Sequence, residues 1–149
     1  MAMKTIYSPF TLTAAELQEF RAGSDAVFDK VWNRLKGQIY VHVTCMVKVP
    51  EQAEDITVEA FGKVWERRQW IQSVNHLLNL LFVISRDLCV ADLRKQLMRE
   101  PSDEVRATLA TYQKMDIKFC MIHAELVERL SNETRNLLSR LNETAVRKT

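Results

Sequence analysis

Glycine and proline are scarce, three of each in 149 residues, so the chain has few places to turn sharply. Runs of β-branched residues alternating with polar ones, the mark of a half-buried strand, are nearly missing as well. Both shortages argue against a sheet and predict an all-α fold of long helices. Cysteine is equally rare. Cys45, Cys89 and Cys120 are odd in number, far apart and embedded in helical patterns, which argues against a disulfide framework and predicts a reducing, cytoplasmic setting. The uncharged run over residues 70–85 is too short for a bilayer span and contains Gln72, Ser73, Asn75, His76 and Asn79. Residues 1–10 lack a continuous apolar core before a small-residue cleavage site. A soluble protein without a membrane partner is expected. There is no glycine-rich phosphate loop, nucleophile elbow or recognisable acid–base spacing, so no enzyme and no cofactor are expected. His42 and Cys45 stand at i, i+3, but two ligands do not make a structural zinc site, and no metal is expected.

What the sequence does have is apolar content and charge in nearly equal signs. With 47% hydrophobic residues the chain can bury one domain core. Its 21 bases against 19 acids give a formal charge of +2, so the distribution of charge, not its sum, must point to partners. The capping box Thr13-Ala14-Ala15-Glu16 opens a first helix that Gly23 ends. Ser24 caps a second, whose stripe is Val27, Phe28, Val31, Trp32, Leu35, Ile39, Val43 and Met46, with Gly37 inside it. Val49-Pro50 breaks the chain, and Pro50 suits the first position of a third helix with core residues Ile56, Ala60, Phe61, Val64 and Trp65. Ser73 caps a fourth that runs to about Arg99, with Leu77, Leu81, Ile84, Leu88 and Ala91 as its core face, before Pro101 stops it. Residues 101–116 read as a linker that is partly helical. Helices are expected over residues 117–130 and 131–141, with residues 142–149 frayed.

The third and fourth helices differ in charge. Residues 51–66 carry five carboxylates (Glu51, Glu54, Asp55, Glu59 and Glu66) against Lys63. Glu51, Asp55 and Glu59 recur at i, i+4, i+8 and share a face. Residues 86–99 carry Arg86, Arg94, Lys95 and Arg99 against Asp87 and Asp92. Arg67, Arg68, Gln69 and Trp70 lead into the connector between the two helices. Several of these residues have two readings. The acidic stripe is a solvated face or a docking face. Trp70 is a core-edge aromatic or a stacking platform, and Asn75 is a helix-start residue or a base reader. His76 is an ordinary partly buried histidine or a connector side chain, and Arg94 and Lys95 are favourable helix-end charges or phosphate contacts.

Residues 53–56 (AEDI), Phe61, Val64-Trp65 and Arg67-Arg68 resemble the second conserved region of bacterial sigma factors, most closely the extracytoplasmic-function group. LFVISRDLCVADLRK at residues 81–95 is similar to that group's next signature, an apolar run, an Ile-Ala-Arg-Asn-like tetrapeptide and a basic helix end. The two motifs stand in the family's order and cover roughly residues 12–95. Residues 122–141 (IHAELVERLSNETRNLLSRL) resemble the opening helices of the family's fourth region, without the helix-turn-helix that follows in the family.

The resemblance implies a four-helix region 2 bundle at residues 11–100, a linker at 101–116 and a partial region 4 segment at 117–149. It implies that Glu51, Glu54, Asp55, Glu59 and Glu66 face the β′ coiled coil of core RNA polymerase. It further implies that Arg67, Arg68, Gln69, Trp70, Gln72, Asn75, His76, Arg86, Arg94, Lys95 and Arg99 meet promoter DNA at the −10 element. There the connector would hold a flipped base of the non-template single strand and the cations would meet phosphates. Three positions depart from the family pattern. Val58 replaces an amide, Asp87 replaces the asparagine of the tetrapeptide, and Ala91 stands where an aspartate is common. These departures bear on promoter melting more than on polymerase docking. They leave a second reading: a non-catalytic interaction module related to sigma factors, binding polymerase or an anti-sigma factor without melting DNA.

Overall fold

The structure, a computed structural model, describes residues 10–148, with side chains through residue 146. The reading of residues 1–9 as free of a leader lies outside the described residues. Among those described the fold is all-α, with six helices and no strand. They are α1 (Ala14–Ala22), α2 (Asp25–Thr44), α3 (Pro50–Glu66), α4 (Val74–Arg99), α5 (Asp103–Gln113) and α6 (Ile117–Lys148), with a 3₁₀ turn, Arg68–Trp70, between α3 and α4.

Local chemistry sets the helix ends. The Thr13 hydroxyl accepts from the Glu16 N–H at 3.1 Å and the Glu16 carboxylate accepts from the Thr13 N–H at 3.0 Å, which closes the capping box. Gly23 ends α1 with φ at +97°, a conformation that penalises any Cβ, and the Ser24 N–H reaches back to the Glu19 carbonyl at 2.9 Å. Ser24, Ser73 and Ser102 cap α2, α4 and α5 through their hydroxyls. Pro50 begins α3, where its missing N–H costs nothing.

Helix α4 is the hub, touching α2, α3, α5 and α6. Its 26 residues bury Leu77, Leu78, Leu81, Phe82, Ile84, Cys89, Val90 and Leu93, an arc too wide for a helix covered on one side only. By length and composition alone α4 would suit a bilayer, but here its apolar surface forms the centre of the fold. The predicted core face holds at Leu77, Leu81 and Ile84, thins at half-buried Leu88 and fails at Ala91, which is exposed. Val90 and Leu93 take its place, because α5 and α6 cover the far end of α4 from another side. Buried Thr57 and Ser85 donate back to the Ala53 and Leu81 carbonyls, each at 2.7 Å, so neither hydroxyl is left unsatisfied.

Two aromatic clusters lock α3 to α1 and α2. Trp65 meets Phe20 and Phe28 edge-on at 5.4 and 4.8 Å, and Trp32 meets Phe61 at 4.8 Å. His42 of α2, only 3% exposed, lies 5.0 Å from the Phe82 ring, and its Nε2 has no hydrogen-bond partner. Burial pulls its pKa down to about 4, a hydrogen bond with the Phe82 backbone opposes this, and nearby Arg86 and His123 lower it further.

The C-terminal third differs from expectation. Residues 103–113 form helix α5, lying along α4 through half-buried Val105, Leu109 and Tyr112. The two helices expected over residues 117–141 are one, α6, and it continues through the stretch expected to fray. Its first half packs on α2 and α4, burying Cys120, Ala124 and Glu125. The Glu128 carboxylate of α6 lies against Gly37, in the space that a Cβ there would fill.

Candidate partner-binding surfaces

The outer side of α3 is a ridge of carboxylates. Glu51, Glu54, Asp55, Glu59 and Glu66 are all exposed, and among the described residues none has a cation within ion-pairing distance. Ala53, Ile56, Thr57, Ala60, Phe61 and Val64 occupy the opposite side and fix the rotation of the helix. Val58, 59% exposed, stands among the carboxylates, and a Cβ on Gly62, one turn on, would meet nothing within 4 Å. The result is a flat strip with an apolar centre and an anionic rim, suited to a helix with an apolar stripe flanked by cations. The sequence gives Val58 only as a departure from a family pattern; its place at the centre of the ridge is visible only once the buried side of α3 is known.

The connector is pinned at one residue and open on both sides of it. Ile71 is fully buried, whereas Trp70 is 73% exposed and Gln69 and Gln72 are exposed. Arg21 of α1 donates to the Gln69 carbonyl at 3.2 Å, a support that nothing in the local sequence signals. The Ser73 hydroxyl accepts from the His76 N–H at 3.1 Å, and the His76 Nδ1 accepts from the Gln72 N–H at 3.2 Å. That bond places any proton of the neutral ring on Nε2. Trp70, Gln72, Asn75 and His76 thus form an open platform with one large aromatic face and several amide and imidazole groups, held by a rigid backbone.

Two of the expected phosphate contacts are engaged inside the fold. Arg68 lies over the Trp65 ring with its guanidinium 4.6 Å from the centroid, donates Nη1 to the Trp65 carbonyl at 3.0 Å and packs beside Gly23. Arg86 is 22% exposed and donates Nη1 to the Met115 carbonyl at 3.3 Å, tying α4 to the turn before α6. Both act as packing residues, because their long stems lie against neighbouring helices and their heads find carbonyl oxygens there. Arg67, Arg94, Lys95 and Arg99 remain exposed. Arg94 lies 19 residues along α4 from Asn75, about 28 Å at the helical rise. The connector and the basic end are therefore opposite ends of one helix, and only an extended ligand meets both. Asp87, its side chain 68% exposed, lies between them on the side that carries His76 and Arg94. Arg99 is set apart in a cleft beside Val49, Gln52 and Pro101.

Burial pushes the Cys89 thiol and the Tyr112 hydroxyl each up to about 12, and no three His, Cys, Asp or Glu side chains gather among the described residues. No family model, curated protein or solved structure matches the chain.

Proposed function

We propose that this chain is a sigma-factor-like transcription initiation protein of the cytoplasm, binding core RNA polymerase and the promoter −10 element. The observation that carries the reading is the pairing of two open surfaces at separate places on one rigid unit. One is the unpaired carboxylate ridge of α3; the other is the Ile71-pinned connector with Trp70 turned to solvent. In this reading the ridge docks on the β′ coiled coil, with Val58 against its apolar stripe. Trp70 stacks on a base of the non-template single strand, the Gln72, Asn75 and His76 polar groups meet base edges, and the strand runs along α4 toward Arg94 and Lys95.

Retention on immobilised core polymerase tests the docking half. Reversing Asp55 and Glu59 together to lysine places cations against a basic partner and is expected to weaken retention at least ~10-fold. Unchanged retention removes the ridge from the proposal.

A second reading has its own observations. Asp87 stands in the path of a phosphate chain, and Arg68 and Arg86 are occupied within the fold. A module that engages polymerase or an anti-sigma factor without opening DNA needs none of these three. Fluorescence anisotropy with a single-stranded −10 oligonucleotide separates the two. Salt-sensitive binding weakened by Trp70→Ala and Arg94→Ala supports initiation, and no binding supports the interaction module.

A further inference from the structure

Helix α6 is apolar on two opposite sides, and the body of the protein covers only one of them. Cys120, Ala124 and Glu125 turn inward against α2 and α4. On the other side Phe119, Ile122, Leu126, Leu130, Leu137 and Leu141 follow at steps of three, four, four, seven and four, each 40–62% exposed. A single stripe on a helix of 32 residues is long, about 33 Å from Phe119 to Leu141. Its second part has the spacing of a coiled-coil seam, with Val127, Thr134 and Leu141 at one set of core positions and Leu130, Leu137 and Thr144 at the other, while Phe119, Ile122 and Leu126 lie outside that register. The remaining sides from residue 132 onward carry Asn132, Arg135, Asn136, Ser139, Asn142 and Glu143, together with exposed Leu138 and Val146. Exposed apolar residues repeated along one side of a helix mark an interaction surface rather than scattered surface leucines.

We propose that the seam from Val127 to Thr144 is the dimerisation surface of the protein, pairing α6 antiparallel with α6 of a second copy. The flanking charges select both the partner and the direction. Across a two-fold axis that sets Leu130 opposite Leu141 of the second copy, Thr134 falls opposite its Leu137. The flanking position Glu133 then falls opposite its Arg140, and symmetry forms the same ion pair twice. Parallel pairing in register sets Thr134 against itself in the core. It leaves Glu133 facing Leu138, without an ion pair. The seam is only about two and a half heptads long, so the dimer is expected to be reversible. The inference is independent of what α3 and the connector bind.

Sedimentation equilibrium of the full chain, from about 1 to 200 µM, tests it. The expected weight-average mass rises from 17.3 kDa toward twice that value. Leu137→Lys, at an exposed position, is expected to leave helicity and monomer stability unchanged and to abolish the rise. Arg140→Glu sets glutamate against Glu133 of the second copy and is expected to weaken association at least tenfold. The exchange Glu133→Arg with Arg140→Glu restores the ion pairs in the antiparallel register and is expected to restore the dimer. A monomer at every concentration overturns the proposal. So does a dimer indifferent to Leu137→Lys, or one that the charge exchange fails to rescue.

Discussion

The two halves of α6 share one helical pattern and meet opposite surroundings. Residues 117–128 lie in a groove between α2 and α4, where Cys120 and Ala124 lose nearly all contact with water. Residues 131–146 are exposed throughout, although Leu137, Leu138 and Leu141 recur there at helical spacing. The difference teaches that amphipathic spacing specifies a helix and a face, while the covering of that face is decided elsewhere. For the first half that decision is made on α2. The absence of a Cβ at Gly37 leaves the space that the Glu128 carboxylate occupies.

Truncating one residue on each side of this divide has the largest contrast. Phe82 is fully buried, so Phe82→Ala is expected to cost about 3–5 kcal/mol and bring the body close to unfolding. Leu137→Ala, made where the side chain is 53% exposed, is expected to change dilute-solution stability by less than about 0.5 kcal/mol. Urea titration measures both. A large cost at Leu137 in the monomer means the tail has an intramolecular partner.

Acid should act on the body alone and to a slightly smaller extent. His42 titrates near 6.5 unfolded and near 4 folded, so between those values the unfolded chain binds more protons. Its contribution is complete above pH 6.5 and falls with pH, by about 2 kcal/mol at pH 5 and about 3 at pH 4. The cations facing the ring, Arg86 from α4 and His123 from α6, push the same way. Urea midpoints against pH should slope less in His42→Leu than in the unmodified chain. Equal slopes would mean that the His42 ring reaches water in the native state.

A smaller effect is expected at Arg68, which separates a packing arginine from a free one. Arg68→Ala removes the contact over Trp65 and the bond to its carbonyl, for about 1–2 kcal/mol of stability. Arg67→Ala next to it, at an exposed position, should cost less than about 0.5 kcal/mol. Similar losses at both would show that the guanidinium of Arg68 is not held by the fold.

Most helix boundaries were legible because they rest on local chemistry. The Thr13 capping box, Gly23, Ser24, Pro50 and Ser73 act within four residues of themselves and stand where the sequence places them. Helix α5 was harder to see. Val105, Leu109 and Tyr112 are its half-buried apolar residues, and no residue of α5 is fully buried, so its pattern is thin. The break expected at Ser131 is not there, because a polar pair such as Ser131-Asn132 costs little inside a helix when both residues face water. Ala91 shows a different limit. Its side of α4 is core only if a neighbour lies there, and α5 and α6 lie elsewhere. The candidate surfaces divide in the same way. Exposure of the α3 carboxylates followed from the opposite buried stripe; Arg68 turns back on the ring and carbonyl of Trp65 three residues before it, and the withdrawal of Arg86 depended on the Met115 carbonyl, which tertiary packing brings within reach.

The smallest expected effect probes the contact that divides α6. Gly37→Ala supplies about 1 kcal/mol of helix propensity to α2. Against this, the new methyl would occupy the space of the Glu128 carboxylate, 1.8 Å from Oε2 and 2.9 Å from Cδ. The obstacle is the far end of a flexible side chain, so Glu128 can rotate away without moving either backbone. Rotation also relieves a burial that raises the Glu128 carboxyl above its ordinary range, a rise that nearby Glu125 reinforces and Arg34 opposes. The two contributions nearly cancel, and thermal unfolding should shift by no more than the equivalent of about 1 kcal/mol. A loss above about 2 kcal/mol would show that α6 seats on α2 as a rigid joint. In that case the boundary between the covered and uncovered halves of α6 is fixed by the Gly37–Glu128 contact itself.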